Sequence, residues 1–429
     1  MHDTRARRSL NFTPSENVLS PLARMPFVMD TYSRYFFEHM RLFGEWFFFS
    51  GIEAGLIQAE VLEPLLRELA HAQYVDTRPI SGLNCMTVAM AGLCRSGGTM
   101  LTVPAESGGH MSTTTVASRL GIRTLPIPMS ETHFVDLDGL DRLLAAERPD
   151  LIYIDQSNQL FPIDPKPIRE VVDLRSPGTV LHVDSSHING LILGGALPNP
   201  LERGAHTFGG STHKTLPGPH KGFLATNDPV LRDRIDAIAY HFISQHNLAA
   251  TISLAITLVE FRECGGAEYA AGVLENSNRF VRGIAARGLP AAAAEHGFTG
   301  CHQSWIMPAA GVDPIAAAHR MYEQGLLVNR FNDLPGVDRP VFRMSMAEFT
   351  RMGGGGRDVD DLVDVFAAFL NGAEADQRDR IAAIRSRLAR PRYCFAADQL
   401  SEMGASEEFL NMFQCVEAGI SFTAPTSAT

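Results

Sequence analysis

The stretch from His206 to Phe223 reads HTFGGSTHKTLPGPHKGF. An apolar strand ending leads into small residues, then Lys214, then a turn rich in proline and glycine. Small residues allow a flat molecule to approach the backbone, and burial or nearby positive charge makes a lysine amine nucleophilic. Because α/β proteins bind ligands beyond the carboxyl ends of their strands, this position favours a ligand-bonding lysine. Taken alone, a lysine in a glycine-rich loop is more often a surface residue. The other motifs of the sequence are therefore needed to decide whether Lys214 binds a ligand.

Short apolar runs on both sides of this stretch predict the strands of one sheet. They are Met100–Val103, Thr124–Ile127, Leu151–Asp155, Val180–Asp184, His206–Gly209 and Gly222–Thr226. Helical patterns lie near residues 83–95, 112–120, 136–147 and 166–173. Runs that are apolar almost throughout are typical of strands buried on both faces, and strands that alternate with helices form right-handed βαβ units. The pattern therefore predicts an α/β fold with a mostly parallel sheet.

The 429 residues, 45% of them hydrophobic, suffice for two or three domains. Helical patterns dominate residues 228–287, and a second α/β stretch follows. Its predicted strands are 301–308, 325–330 and 341–346, and its predicted helices are 313–325 and 358–371. We predict an N-terminal arm over 1–50, a large cofactor-binding domain over 51–270 and a small domain with a helical tail over 271–429, with the boundary near 265–290. The aromatic arm around Tyr32–Phe37 and Trp46–Phe49 belongs either to the core or to a dimer contact.

The net charge of −11 argues against nucleic acid or an anionic membrane as the main partner. No apolar run approaches the ~20 residues of a membrane helix, and the first residues lack the apolar stretch of a signal peptide. The six cysteines are dispersed without a CxxC pair. That spacing predicts a reducing cytoplasm and no zinc site.

A second polar motif, Asp184-Ser185-Ser186-His187, closes the predicted strand Val180–Asp184. An acid at the end of a buried strand needs a partner, and a pyridinium nitrogen is one. A carboxylate there keeps the ring nitrogen protonated, so that the ring withdraws electrons. His187 either orients the acid or contacts the phenolic oxygen of the cofactor. As single residues, Asp184 is more often a helix cap and His187 a structural histidine.

Three weaker motifs predict a phosphate site, a stacking ring and a carboxylate contact. Ser81 and Gly82 precede a predicted helix, whose N-terminus is a natural phosphate site. The glycines of Gly108–His110 allow close approach, and the imidazole stacks on a flat ring. Arg343 lies in the predicted strand 341–346, and a guanidinium there can bind a carboxylate through two hydrogen bonds. A surface salt bridge is the alternative for this arginine.

In this order the motifs resemble serine hydroxymethyltransferase, a fold-type I pyridoxal-phosphate enzyme. The matching motifs are Ser15–Asn17, Gly108–His110, Asp184 with His187 and Gly190, Thr212–Pro219, and Arg343 followed by Thr350–Gly353. The resemblance implies a large domain with a mostly parallel seven-stranded sheet, a smaller C-terminal α/β domain, and a homodimer or higher oligomer. It makes Lys214 the residue that forms a Schiff base with pyridoxal 5′-phosphate.

The same resemblance implies the site residues. Catalytic roles fall on Lys214, Asp184, His187 and His110. Cofactor contacts are implied for Ser81, Gly82, Leu83, His110, Asp184, His187, Ser211, His213 and Lys214. Substrate contacts are implied for Ser15, Tyr35, Glu38 and Arg343. No metal ligand is implied.

Departures from the family pattern reduce the number of candidate activities. Hydroxymethyltransferases read Gly-Pro-Arg-Gly-Gly after the lysine, whereas residues 218–222 read GPHKG. Leu83 replaces a second phosphate-loop serine, which leaves Ser81, backbone amides and Asn84 for the phosphate. The Tyr-x-Glu-Gly-Tyr segment that serves folate chemistry has only loose counterparts in Tyr35 and Glu38.

The chain is more similar to the L-threonine transaldolases of natural-product and antibiotic pathways. The shared motifs are Gly108–His110, Ile152–Ser157, Ser186–Gly195, Thr212–Gly222 and Cys301–Gln303, with a helical tail after 372. This resemblance implies cleavage of L-threonine to acetaldehyde and transfer of the glycyl unit to an acceptor aldehyde, such as uridine-5′-aldehyde. The proton acceptor is a carboxylate, His110 or a bound water. The alternatives are a serine or α-methylserine hydroxymethyltransferase that uses tetrahydrofolate, a threonine aldolase or racemase, and a regulator that kept the fold.

Overall fold

The structure is a computed structural model, and it describes residues 2–37 and 44–418. The predicted substrate residue Glu38 lies outside these described residues. The described helices are α1 His2–Arg8, α2 Pro21–Arg24, α3 Ile52–Ile57, α4 Glu63–Leu69, α5 Gly82–Leu93, α6 Thr113–Arg119, α7 Leu137–Glu147, α8 Pro165–Arg175, α9 Asn189–Leu193, α10 Pro229–Phe242, α11 Leu248–Glu263, α12 Gly266–Ala286, α13 Pro314–Gln324, α14 Ala347–Arg351, α15 Gly356–Leu370, α16 Arg378–Arg387, α17 Ala397–Glu402 and α18 Glu407–Ala418. The described strands are β1 Leu10–Asn11, β2 Tyr74–Asp76, β3 Thr99–Thr102, β4 Arg123–Pro126, β5 Met129–Glu131, β6 Phe134–Val135, β7 Leu151–Asp155, β8 Val180–Asp184, β9 Thr207–Ser211, β10 Gly222–Thr226, β11 Gln303–Ile306, β12 Leu326–Leu327, β13 Asn329–Phe331 and β14 Val341–Ser345.

Seven of the described strands form the central sheet, in the order β2-β10-β9-β8-β7-β3-β4. Strands β9, β8, β7, β3 and β4 are parallel, and β10 is antiparallel to both its neighbours. β7 is buried along its whole length, and β8 is buried except at Asp184. Such burial follows from helices on both faces of the sheet. The predicted α/β fold with a mostly parallel sheet is confirmed.

Three helices begin on the dipeptide Asp-Pro. α8, α10 and α13 start at Pro165, Pro229 and Pro314, and each preceding aspartate accepts a first-turn amide N–H, at 3.0, 2.7 and 2.9 Å. The carboxylate satisfies a free donor of the helix end, and proline has no N–H to leave unpaired there. The sequence therefore marks these helix starts locally, before any tertiary contact forms.

A smaller antiparallel sheet, β11-β14-β13, carries Arg343 on its central strand. The N-terminal strand β1 pairs in parallel with β12, so the first residues pack with this part of the chain. Phe12 and Phe280 both meet the ring of Phe366 edge-on, at centroid distances of 5.4 and 5.3 Å. The long helix α12 runs without a break through the region where the domain boundary is predicted. The proposed domain limits stay a prediction.

Several short elements escape the sequence analysis. β2 is a three-residue strand at the sheet edge, β5 and β6 form a short hairpin, and α9 has five residues. Segments of this length are too short to display a helical or strand period. Among the described residues, no helix combines the length and the apolar character needed to cross a membrane.

Candidate active site

A cavity of about 240 Å³ lies at the carboxyl ends of β7, β8 and β9. It brings together all of the residues for which cofactor contacts are implied, although these come from four separate stretches of sequence. They are Ser81, Gly82, Leu83, His110, Asp184, His187, Ser211, His213 and Lys214. Met86, Asp155, Gln156, Ser157 and Ser186 complete the lining. Their roles toward a cofactor remain predictions.

Lys214 is the lysine of this cavity. The chain contains three lysines. Lys166 is exposed at the start of α8, and Lys221 is fully buried with its Nζ donating to the His246 carbonyl at 2.8 Å. Of the three, only Lys214 lines the cavity. Lys221 is therefore a poor second candidate for cofactor attachment.

The surroundings of Lys214 hold its backbone and favour a reactive amine. Asn17, the last residue of the Ser-Glu-Asn motif, donates from Nδ2 to the Lys214 carbonyl at 2.7 Å. Burial lowers the pKa of Lys214 to about 8, the charge of Arg343 acts in the same direction, and Asp184 opposes both. A larger fraction of the amine is therefore neutral near physiological pH than for an exposed lysine.

Asp184 is held by two donors, neither of which is His187. The Tyr153 hydroxyl donates to Oδ2 at 2.8 Å, and the Ser186 N–H donates to Oδ1 at 3.0 Å. Tyr153 is fully buried and stacks on His182, with ring centroids 4.8 Å apart. Of the two roles considered for His187, orienting the acid gains no support, because Tyr153 and Ser186 donate to it instead.

His187 contacts the smaller sheet instead. Its ring stacks on His302 at a centroid distance of 5.5 Å, and the Gln303 Nε2 lies 3.5 Å from its Nδ1. Burial lowers the pKa of His187 well below its usual value, and the charges of Lys214 and Arg343 lower it further. The ring is therefore neutral at physiological pH, and His187 both lines the cavity and stacks on His302.

The cavity contains a cradle that fits a flat ring carrying a phosphate. A Cβ on Gly210 would lie 2.3 Å from the Ser186 Oγ and 2.7 Å from the Asp184 Oδ1, so glycine keeps the carboxylate accessible. Ser81 caps α5 by accepting the Asn84 N–H at 3.1 Å, which leaves the amides of the first turn at the cavity. The buried His213 Nδ1 has no hydrogen-bond partner among the described residues. These features suit pyridoxal phosphate, with its phosphate at the helix start and its ring nitrogen at Asp184.

A larger cavity of about 940 Å³ adjoins the first and shares His110, Ser157, His187 and Lys214 with it. Ser15 and Arg343, two of the predicted substrate residues, line this second cavity. Tyr35 lines neither cavity, and its hydroxyl donates to the Ser244 carbonyl at 2.9 Å. The structure therefore brings Ser15 and Arg343, but not Tyr35, to the site.

Arg343 is fixed before any substrate arrives. Its guanidinium donates to the Asn329 Oδ1 at 3.1 Å, to the Ser157 carbonyl at 3.0 Å and to the Asn158 Oδ1. Burial lowers its pKa to about 10, which leaves it charged at neutral pH. A buried cation held by neutral oxygens retains its attraction for an incoming carboxylate.

The profile of the serine hydroxymethyltransferase family matches residues 2–289, more than half of the chain. The chain belongs to the serine hydroxymethyltransferase family. An L-threonine:uridine-5′-aldehyde transaldolase from a Streptomyces species is 41% identical over 376 residues, which cover 87% of this chain and 91% of the relative. A serine hydroxymethyltransferase from Pyrobaculum islandicum is 34% identical over 400 residues, 88% of this chain and 89% of the relative. The crystal structure of an L-threonine transaldolase from Pseudomonas fluorescens superposes with a TM-score of 0.82 at 25% identity, covering 97% of this chain and 95% of that chain.

Membership of the serine hydroxymethyltransferase family confirms the expected fold-type I architecture and identifies the protein as a transferase. Several residues that line or support its site were not predicted. Tyr153, Asp155, Ser157 and Ser186 surround the strand ends, and Gln303 links the smaller sheet to His187. One signal was available: the polar run Asp155-Gln156-Ser157 directly follows a buried strand, as Asp184 does.

Proposed function

We propose that this enzyme is a pyridoxal-phosphate-dependent L-threonine transaldolase with a nucleoside 5′-aldehyde as acceptor. The observation that carries the proposal is the pair of adjoining cavities that meet at Lys214, one sized for a cofactor and one with room for a large second substrate. The relative from Streptomyces, named for uridine-5′-aldehyde, supports the same class of acceptor.

The residues present fit pyridoxal phosphate as the cofactor. Lys214 supplies the amine, Asp184 the carboxylate for the ring nitrogen, and the first turn of α5 the amides for the phosphate. When bound, the cofactor provides an electron-withdrawing ring that stabilises the negative charge left on the α-carbon after bond cleavage. Tyr153 and Ser186 hold the Asp184 carboxylate in place, so that its charge stays aimed at the cavity.

Arg343 binds the carboxylate of threonine and thereby sets which bond at the α-carbon is broken. With that carboxylate fixed, Arg343 would set how the Cα–Cβ bond is oriented toward the bound cofactor, which would supply the electron-withdrawing ring. After acetaldehyde leaves, the acceptor aldehyde binds in the position that acetaldehyde occupied. The carbonyl carbon of the acceptor then bonds to the same α-carbon. The product is a new β-hydroxy-α-amino acid.

His110 acts as a hydrogen-bond donor in this scheme, not as the base. Its Nδ1 accepts the Ser112 N–H at 3.2 Å, which places the proton of the neutral ring on Nε2. Burial lowers the pKa of His110, which favours that neutral form. The Nε2–H stabilises negative charge on the aldehyde oxygen as the carbon–carbon bond breaks or forms. The proton acceptor is then a carboxylate or a bound water.

The larger cavity suits an acceptor with both apolar and hydroxylated parts. The turn Leu334-Pro335-Gly336-Val337 covers one side, closed by hydrogen bonds between Leu334 and Val337 in both directions, at 2.7 and 3.0 Å. Gly336 takes the positive φ of 73° that the second central residue of such a turn requires. Phe331 and Met111 offer flat or flexible apolar contact, and the amide of Asn158 offers polar contact. Apolar walls with a few polar groups are typical of small-molecule sites.

The test is product formation without folate. Enzyme, L-threonine and a panel of uncharged aldehydes that includes uridine-5′-aldehyde are incubated without tetrahydrofolate, and acetaldehyde and new amino acids are measured together. Acetaldehyde with a coupled product supports the proposal, whereas acetaldehyde with free glycine alone indicates a threonine aldolase. Rapid consumption of serine and tetrahydrofolate, with no coupled product from any aldehyde, replaces the proposal with a hydroxymethyltransferase.

We further propose a cytoplasmic homodimer that serves natural-product biosynthesis. Exposed aromatic side chains of the N-terminal arm support the dimer: Tyr32 is 63% exposed, Phe47 52% and Phe49 72%. Apolar patches of this kind mark interfaces between chains. The neighbouring segment Gln245–Asn247 contacts the arm, since the His246 N–H donates to the Phe36 carbonyl at 2.8 Å. A second copy of the chain is the expected partner of this surface.

A further inference from the structure

Asp155 is a buried carboxylate beside the cofactor cavity that the proposed mechanism does not use. It ends β7 and is in register with Asp184 at the end of β8, so both acids occupy the same level of the sheet. Only 2% of Asp155 is exposed, and it contributes to the cavity lining. Its partners among the described residues are hydroxyl and amide donors, not cations. Burying a carboxylate without a neighbouring cation costs folding free energy, so its presence here suggests a role in the site.

All of its donors lie between residues 102 and 113. The His110 N–H donates to Oδ2 at 3.1 Å, the Thr113 hydroxyl donates to the same oxygen, and the Thr102 hydroxyl approaches Oδ1 at 3.4 Å. This segment leaves β3, makes the Gly-Gly-His turn and enters α6. The Asp155 carboxylate therefore connects the end of β3, the His110 amide of the turn and the first residue of α6.

The turn itself has little freedom. A Cβ on Gly108, whose φ is 103°, would lie 2.1 Å from the Asn158 carbonyl oxygen, and a Cβ on Gly109 would lie 2.1 Å from the Val103 carbonyl oxygen. The Asn158 N–H donates to the Gly108 carbonyl at 3.1 Å. With the glycines locked against their neighbours, the bond from the His110 N–H to Asp155 determines where the His110 side chain leaves the backbone.

We propose that Asp155 is a positioning residue that fixes His110 beside Lys214 by accepting the His110 amide proton. The imidazole of His110, which lines both cavities, is then oriented from two sides, by Asp155 through its backbone and by the Ser112 N–H through Nδ1. Burial raises the pKa of Asp155 to about 7, the Thr113 hydroxyl opposes that rise, and Asp184 adds to it. The proposal rests on the proposed function only in placing His110 at the reacting atoms.

Hydrogen exchange at His110 tests the bond directly, in full-length protein with and without cofactor. In Asp155→Ala the His110 amide loses its acceptor, so peptides that contain it should exchange about tenfold faster or more. In Thr113→Val, the matched control that keeps the Asp155–His110 bond, exchange should stay within about twofold of wild type. Asp155→Asn keeps an acceptor oxygen and should restore slow exchange. Should Asp155→Ala fail to fold, Asp155→Ser, whose shorter side chain cannot reach the amide, replaces it.

Kinetics test whether the residue acts through His110. Asp155→Ala should lower kcat for threonine cleavage about tenfold, with KM nearly unchanged. In a His110→Ala background the same substitution should change kcat less than about twofold, because the effects of coupled residues are not additive. Unchanged exchange in Asp155→Ala, or an equal loss of kcat in both backgrounds, would overturn the proposal. The exchange result is independent of whether threonine is the substrate, so failure of the proposed function and failure of this inference are distinguishable.

Discussion

The hydroxyl of Tyr153 donates to the Oδ2 of Asp184 at 2.8 Å, across the boundary between two neighbouring parallel strands. Tyr153 lies two register positions before Asp155, and its ring is fully buried against His182. The acid that we propose faces the cofactor ring is therefore oriented from inside the sheet. Together with the Ser186 N–H, which donates to Oδ1, this bond holds the carboxylate at the wall of the cavity.

Tyr153→Phe should keep the ring stack and remove only the donor. A hydrogen bond to a charged group contributes about 1.5–3 kcal/mol, so we expect the rate of threonine cleavage to fall about tenfold or more while the protein still folds. Asp184→Asn, which removes the charge itself, should retain the cofactor and lose activity by orders of magnitude. Absorbance titration of the cofactor and the initial rate of acetaldehyde release measure both. Tyr153→Phe with wild-type activity would show that Ser186 alone suffices to hold the acid.

Lys214→Ala should abolish both the yellow colour of the bound cofactor and turnover. The matched control is Lys166→Ala, which removes the exposed lysine at the start of α8 and should leave colour and activity unchanged. Lys221→Met, which removes the buried amine, should keep the colour because its Nζ is bonded to the His246 carbonyl away from the cavity. Colour that survives Lys214→Ala would assign cofactor attachment to Lys221.

The rate of covalent cofactor attachment should rise with pH to a plateau, with a midpoint near 8. Burial lowers the pKa of Lys214 to about 8 from its usual 10.5, and only the neutral amine attacks an aldehyde. Because the negative charge of Asp184 raises this pKa, Asp184→Asn should move the midpoint to lower pH. Stopped-flow absorbance of pyridoxal phosphate mixed with cofactor-free enzyme measures both midpoints. A midpoint close to 10.5 would mean that the amine is not shielded from water.

Arg343→Lys should raise KM for threonine about tenfold or more, because an ammonium cannot reproduce the two parallel hydrogen bonds to a carboxylate. It also breaks the contacts to Asn329 and Ser157 that hold the guanidinium. Arg339→Lys is the control, since Arg339 donates to the Pro308 carbonyl and does not line either cavity. Equal KM values for the two variants would remove Arg343 from substrate binding.

Sedimentation should show at least a dimer, and a charge on the arm should weaken it. Phe49→Glu places a carboxylate on a side chain that is 72% exposed in the single chain, so we expect it to shift the enzyme toward monomer without unfolding it. Leu174→Glu, equally exposed at 71% but on α8, is the matched control. A fully active wild-type monomer would contradict the dimer.

The sequence predicted the central strands well because their signals are local. Leu151–Asp155, Val180–Asp184 and Gly222–Thr226 are continuous apolar runs between turn residues, and the structure has them at the same bounds. The strand β2 was missed because three residues at a sheet edge carry no period. The β1–β12 pair was missed because it joins residues far apart in sequence.

The sequence analysis predicted those site residues that stand in a recognisable motif. It missed the hydrogen bonds that connect residues on different strands or loops. Lys214, Asp184 and His110 stand in recognisable patterns, and the fold brings them to one cavity. The Tyr153–Asp184 and Asp155–His110 bonds depend on the order of β3, β7 and β8 in the sheet, which no single stretch of sequence contains.

The pairing of β1 with β12 bears on how the polypeptide matures during translation. Leu10 leaves the ribosome early, whereas its partner Leu326 is synthesised more than 300 residues later. Asn17, which holds the carbonyl of Lys214, likewise waits for residues made much later. Domains form as units while the chain emerges, so the nascent N-terminal segment stays undocked until most of the protein exists. The contact of Asn17 with the Lys214 carbonyl therefore forms only after the N-terminal segment has docked.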